Sequence, residues 1–307
     1  MKRIFLTTTG RYRIIWRFIL FIVVFMAISF PLQYGVRQIL EPSLTRSNIA
    51  MLIVTISMIL SLYAQVKYFD KSSFKKYGLK VDKIWVKEFL FGCLIPLIQL
   101  SVFFGILYYS QHLTIVDYYV SSSSEHSFIY GFTSEIFRQF GVGIYEEILS
   151  RTFLFFIIYE MLKSFKMNAK TSVIVSILFN SLLFGLMHIG NDNATWYTSL
   201  NISMVILTLC LPFLLTGRLG MSIGMHFAWN FIQSAVLGFA NSGNIAKGAL
   251  LSIDVSDHPI TGGAFGPEGS SILMVLGAIA ILLIYFWKKS HKMQRWINPE
   301  FYGYGDY

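Results

Sequence analysis

The sequence predicts an all-α fold, a polytopic membrane helix bundle of about eight transmembrane helices. Two observations carry that prediction. The chain of 307 residues is 55% hydrophobic, 17% aromatic and only 13% charged, with a mean hydropathy of +0.59. A soluble domain carries about 25% charged residues, so this chain has too few polar groups to cover a water-facing surface. The second observation is a series of apolar runs of about 20 residues, the length that crosses a hydrocarbon core of about 30 Å.

Taken in order, the predicted spans are residues 14–34, 48–69, 86–109, 134–163, 171–188, 195–216, 219–240 and 271–288. The first follows Lys2, Arg3, Arg11 and Arg13, as a secretory signal would. It is longer than a signal core and lacks a small-residue cleavage site, so it reads as an uncleaved anchor. There is no internal repeat, low-complexity tract or soluble domain. The chain therefore reads as a single integral membrane domain, residues 1–307, with its chemistry-bearing core at about 134–240. The sequons at Asn193 and Asn201 lie in or beside helices and read as chance.

Charge predicts orientation. Eighteen of the 25 basic residues fall on one side. They lie in the N-terminal segment, the 70–87 loop, the 163–170 turn, Arg218 and the tail from Lys288 to Arg295. The opposite side holds Arg37, Arg46 and Lys247. Both termini are expected to be cytoplasmic, in a multi-pass protein of the cell membrane. The net charge of +9 is thus a topology signal with scope for contact with anionic lipid, and a nucleic-acid partner is not expected. Cys93 and Cys210 are far apart in apolar segments and suggest neither a disulfide framework nor a zinc knuckle.

The fourth span raises a question. A charge at mid-membrane costs about 2.5–3.5 kcal/mol on insertion scales, yet Glu146, Glu147 and Arg151 sit within six positions. Glu147 and Arg151 are spaced i,i+4 and can pair on one helix face. Glu146 is then left over. Gln139, Gly143, Glu146, Glu147, Ser150 and Arg151 form one polar stripe that must look into the bundle. Two other spans carry matching stripes: Asn180, Phe184 and His188, then Ser222, His226, Asn230 and Gln233. Two intramembrane histidines with a spare carboxylate and an asparagine point to a site rather than to packing. About a hairpin turn near Met167, Glu146 and His188 are level. His226 reaches that level only if the fourth and fifth helices overhang the membrane, which places the site in the cytoplasmic half.

Glu146-Glu147-x-x-x-Arg151, Phe184-x-x-x-His188 and His226-x-x-x-Asn230, in that order and each in an apolar helix, resemble the three motifs of the CPBP (Abi) family of CAAX proteases and bacteriocin-processing enzymes. The resemblance covers the fourth to seventh spans. It implies an intramembrane endopeptidase acting on a peptide or membrane-protein substrate. Glu146 would be the general base, working with His188 on a water. His226 and Asn230 would steady the oxyanion, with Glu147, Arg151 and Phe184 in support. In this family a prenylated CAAX tail is the eukaryotic substrate. The form of this chain suits a bacterial one, where a peptide pheromone, a bacteriocin leader or a membrane-protein segment is expected.

Cofactor use stays open between none and zinc. His188, His226 and Glu146 would suit an open zinc site, but H-E-x-x-H is absent and a metal-free glutamate mechanism uses the same residues. A non-catalytic immunity or scaffold protein is the alternative function, and a transporter a lesser one. Two other signatures are discounted. "GMSIG" around Ser222 opens a helix rather than a strand–turn–helix elbow. "GYGD" at 303–306 lies in a polar tail. Residues 110–133 and 241–270 read as ordinary extracytoplasmic loops, and His112, His126 and His258 show no metal-like spacing.

Overall fold

The apolar runs do become helices, and those expected from 48, 86, 134 and 171 begin two to six residues earlier, at polar caps. The computed structural model describes residues 2–302; the "GYGD" segment falls outside the described residues. A short turn, α1 (Lys2–Phe5), precedes α2 (Ile14–Ile39) and α3 (Leu44–Ala64), which runs on through a π-helical turn (Gln65–Phe69). Then come α4 (Lys83–Tyr109), β1 (Leu113–Ser121) and α5 (Phe128–Glu147). A second π-helical stretch (Ile148–Leu154) joins α5 to α6 (Phe155–Ser164). After these follow α7 (Ala169–Met187), α8 (Trp196–Thr216), α9 (Gly220–Phe231), β2 (Gly248–Val255) and α10 (Leu273–Ser290). The Ser43 hydroxyl accepts from the Arg46 amide, Asp82 from Ile84 and Trp85, and Asn168 from Thr171. Those side chains take up amides that the first turn leaves without intrahelical partners.

Among the described residues, six helices are long and apolar enough to cross a membrane: Ile14–Ile39, Leu44–Phe69, Lys83–Tyr109, Ala169–Met187, Trp196–Thr216 and Leu273–Ser290. The protein is a multi-pass membrane protein. The other two expected spans are helical but fall outside that measure, the fourth by its charged residues and the seventh by its shorter length. The fourth, expected at 134–163, is the near-continuous 128–164 rod of α5, π-turn and α6. The seventh, expected to reach 240, is α9 plus a π-turn (Ile232–Val236). These two carry the polar stripes.

The loops hold a further departure from expectation. β1 and β2 pair antiparallel, Leu113 opposite Val255 and Ser121 opposite Gly248, with a bulge between Ile115 and Asp117. Ribbon strands 130 residues apart in sequence replace the two ordinary loops. At its edge the rings of His112 and His258 stack 4.4 Å apart.

Helix α9 is the hub. Gly92 on α4 lies against the Met221 carbonyl and Gly224 on α9 against the Phe89 carbonyl. A side-chain carbon at either position would collide with backbone, so these two glycines set how closely α4 and α9 approach. Around them Phe153, Phe155, Phe156, Phe213 and Met221 form one buried core.

At the end bearing the basic loops lies a buried charge cluster that the sequence reading did not assemble. Arg17 pairs with both Asp70 and Glu160, and Arg11 reaches Asp70. Lys76 Nζ lies 3.0 Å from Asp70 and 2.8 Å from Glu160, while the Tyr77 hydroxyl donates to Asp70 at 3.0 Å. Burial pushes the Asp70 carboxyl up, but Lys76 and Arg17 outweigh it and hold it well below the usual carboxylate range. The tail closes this end. The Asn298 amide donates to the Thr216 carbonyl, and Phe301 packs on Phe155, Phe156 and Phe213.

Candidate active site

Glu146 and Glu147 end α5 where the helix widens into a π-turn, a local irregularity that recurs at functional sites. Being neighbours on a helix, they point about 100° apart. Glu147 goes inward and is fully buried. One of its oxygens, Oε1, lies 2.8 Å from Arg151 Nη1 and 2.7 Å from His226 Nδ1. Arg151 in turn lies over the Phe184 ring, 5.6 Å from its centroid. Thus the expected Glu147–Arg151 pair forms, and Glu147 also does something the sequence did not reveal: it fixes the ring of His226.

A carboxylate oxygen can only accept, so Nδ1 of His226 carries the proton in that bond. The other ring nitrogen, Nε2, then faces Glu146 Oε2 at 3.5 Å. Glu146 Oε1 accepts from the Tyr145 hydroxyl at 2.8 Å. Tyr145 was missed by the sequence reading, because an aromatic residue in an apolar span carries no signal of its own; adjacency to Glu146 was the only clue.

His188 caps the C-terminus of α7. Its Nδ1 lies 2.7 Å from the Phe184 carbonyl, so Nδ1–H donates there and a neutral ring leaves Nε2 as an acceptor. Phe184 packs between the two imidazoles, its ring 4.8 Å from that of His188 and 6.2 Å from that of His226. Glu146, His188, His226, Asn230 and Tyr145 all line one cavity of about 400 Å³.

The level problem resolves in the contact itself. His226 is six residues, about 9 Å, from the start of α9, whereas Glu147 is 17 residues, about 26 Å, from the end of α6. They touch because α9 begins well above the α6–α7 turn.

The other stripe residues divide. Gln139 lines the cavity. Ser150 and Asn180 bond to each other at 3.1 Å and pin the π-turn to α7. Ser222 is fully buried, and its hydroxyl donates to the Leu209 carbonyl at 2.8 Å, so it does not serve as a nucleophile. Gln233, expected to extend the His226 face, instead donates to Glu268 at 2.6 Å and to Asn241 at 2.8 Å. Glu268, from the Gly-rich loop, also accepts from Trp229 at 2.9 Å and lines the cavity. Asn201, the buried sequon asparagine, donates to the Glu268 backbone carbonyl at 3.1 Å.

Glu146, His188 and His226 do not form a three-donor zinc site as placed. Among the described residues no three His, Cys, Asp or Glu side chains are grouped closely enough to hold a metal ion.

The chain is a multi-pass helix bundle with carboxylates, imidazoles and an amide gathered in one internal cavity. Residues 132–232, which contain all three motifs, match the family model described as type II CAAX prenyl endopeptidase Rce1-like. The resemblance read from the motifs therefore holds across the segment that carries them, that of the CPBP/CAAX proteases, a peptidase family. No curated protein and no solved structure matches the chain significantly.

Proposed function

We propose that the protein is an intramembrane endopeptidase that hydrolyses a peptide bond at or in the membrane with a glutamate-activated water. The observation that carries this reading is the convergence of Glu146, His188, His226 and Asn230 on one cavity, with Glu146 Oε2 3.5 Å from His226 Nε2.

The water oxygen attacks the scissile carbonyl carbon while Glu146 takes its proton, and the lone pair on His188 Nε2 holds the second water hydrogen in line. The carbonyl oxygen becomes an oxyanion. Asn230 and a protonated His226 Nε2–H are its donors, in a site largely closed to bulk water. Glu147 holds the His226 ring at Nδ1, and Arg151 balances the Glu147 charge. Collapse breaks the C–N bond, and Glu146 returns its proton to the leaving amine. We place the protein in the cell membrane with both termini cytoplasmic, on the strength of the basic loops.

The test uses purified protein in proteoliposomes, stripped with chelator and verified free of metal, incubated with a peptide pool and read by mass spectrometry. The reading predicts new peptide termini at an undiminished rate. Absence of any cleavage, or cleavage restored only by zinc, contradicts it. A scaffold or transporter would leave the pool intact.

A further inference from the structure

The cavity is closed at one end and open at the other. Of the described residues that line it, two are exposed: Met187, 56% accessible at the end of α7, and Asn244 in the loop after α9. Both belong to the end of the bundle that carries the β1–β2 ribbon. There the loop after α7 is tied to the loop after α9, since Asn191 Nδ2 donates to the Ser242 carbonyl at 3.1 Å. Beneath the candidate base the way is shut by fully buried Glu147 and Thr152 and by Arg151, 1% exposed. Farther down lie the Arg17–Asp70–Glu160 charge cluster and the docked tail. The opening is therefore remote from the loops holding the excess of Lys and Arg.

We propose that substrate enters this cavity through the Met187–Asn244 mouth, on the non-cytoplasmic side, and that it is an extended peptide segment presented there with an apolar side chain beside the cleaved bond. This rests on the endopeptidase reading and on the orientation set by the basic loops. The chemistry of the walls suits such a ligand. Side-chain amides of Gln139, Asn191, Asn241 and Asn244 surround the mouth, and amides both donate to and accept from a peptide backbone. Part of the wall is apolar, with Val205, Leu209 and Leu276. The expectation of a site in the cytoplasmic half gives way here. His188 sits at the ribbon end of α7, one residue from the exposed Met187.

The experiment uses the full chain in intact cells, in a Cys93→Ala, Cys210→Ala background, with single cysteines at Asn244, Val205 and Lys75. A small membrane-impermeant thiol reagent should modify N244C and V205C from outside, and K75C only after permeabilisation. A bulky maleimide on N244C should then abolish cleavage of a reporter peptide, measured against the rate of the methyl-blocked N244C protein. Modification of N244C and V205C from the cytoplasmic side alone, or cleavage undiminished by the bulky adduct, overturns the proposal. If both cysteines react from outside but no peptide is ever cut, the entrance stands and the endopeptidase reading fails, so the two are told apart.

Discussion

The rod from residue 128 to 164 passes through two groups of buried charge, and only one of them faces a cavity. At its lower end Glu160 is enclosed by Arg17 and Lys76, with Asp70 sharing the same cations. At its middle, Glu147 lies against both Arg151 and His226, and Glu146 faces the His226 imidazole at 3.5 Å with no Lys or Arg within ion-pair distance among the described residues. Both groups sit in an apolar chain where charge is costly. The lower group is compensated on every side and ties four segments together. The upper group leaves one carboxylate partly accessible, at 18% side-chain exposure, between a phenol and two imidazoles. Burial of charge therefore marks neither function nor structure; what distinguishes the two is the empty space beside Glu146.

That contrast can be broken experimentally. Glu147→Gln should have the broadest effect, because it touches both stability and turnover. Removing one partner of a buried pair costs about 3–5 kcal/mol, and loss of the carboxylate that orients His226 should lower kcat by about 10²-fold or more. Thermal melts and turnover on the same preparation check both. Asp70→Asn should destabilise by a similar about 3–5 kcal/mol yet leave turnover per folded molecule unchanged. A drop in kcat there would erase the distinction. Tyr145→Phe removes one hydrogen bond to a charged group, worth about 1.5–3 kcal/mol, so kcat should fall by about ten- to a hundredfold with KM unmoved.

The smallest effect concerns Glu268. Burial pushes its carboxyl above the ordinary 4.5, against hydrogen bonds from Trp229 and Gln233. The folded protein therefore keeps a proton that the unfolded chain releases. Its contribution to stability is full below the unfolded value and is lost as pH rises through the folded one. Glu268→Gln should flatten that decline in melting temperature across the weakly acid range. An unchanged slope would contradict the assignment.

Much of this was legible in the sequence, for physical reasons. Spans announce themselves by length and hydropathy, and charges in those spans by their cost, so the three polar stripes and the Glu147–Arg151 pair could be read directly. Contacts between distant segments could not. Lys76 reads as a loop cation until Glu160, 84 residues away, is seen 2.8 Å from it. The β1–β2 ribbon joins strands that flank five helices, α5 to α9, and neither strand alone has a pattern that names its partner. The π-turns leave no trace in hydropathy. Glu268, an acid in a Gly-rich loop, gains meaning only from Trp229 and Gln233.

The most direct test of the account is the rate of peptide cleavage by Glu146→Gln in proteoliposomes, measured beside its melting temperature. Glu146 is partly exposed and its cationic neighbour, His226 at 3.5 Å, keeps Glu147 as a partner, so the variant should melt close to the unaltered protein while losing about 10²–10⁴-fold in kcat, the usual contribution of a general base. Cleavage at the original rate by a folded variant would contradict it.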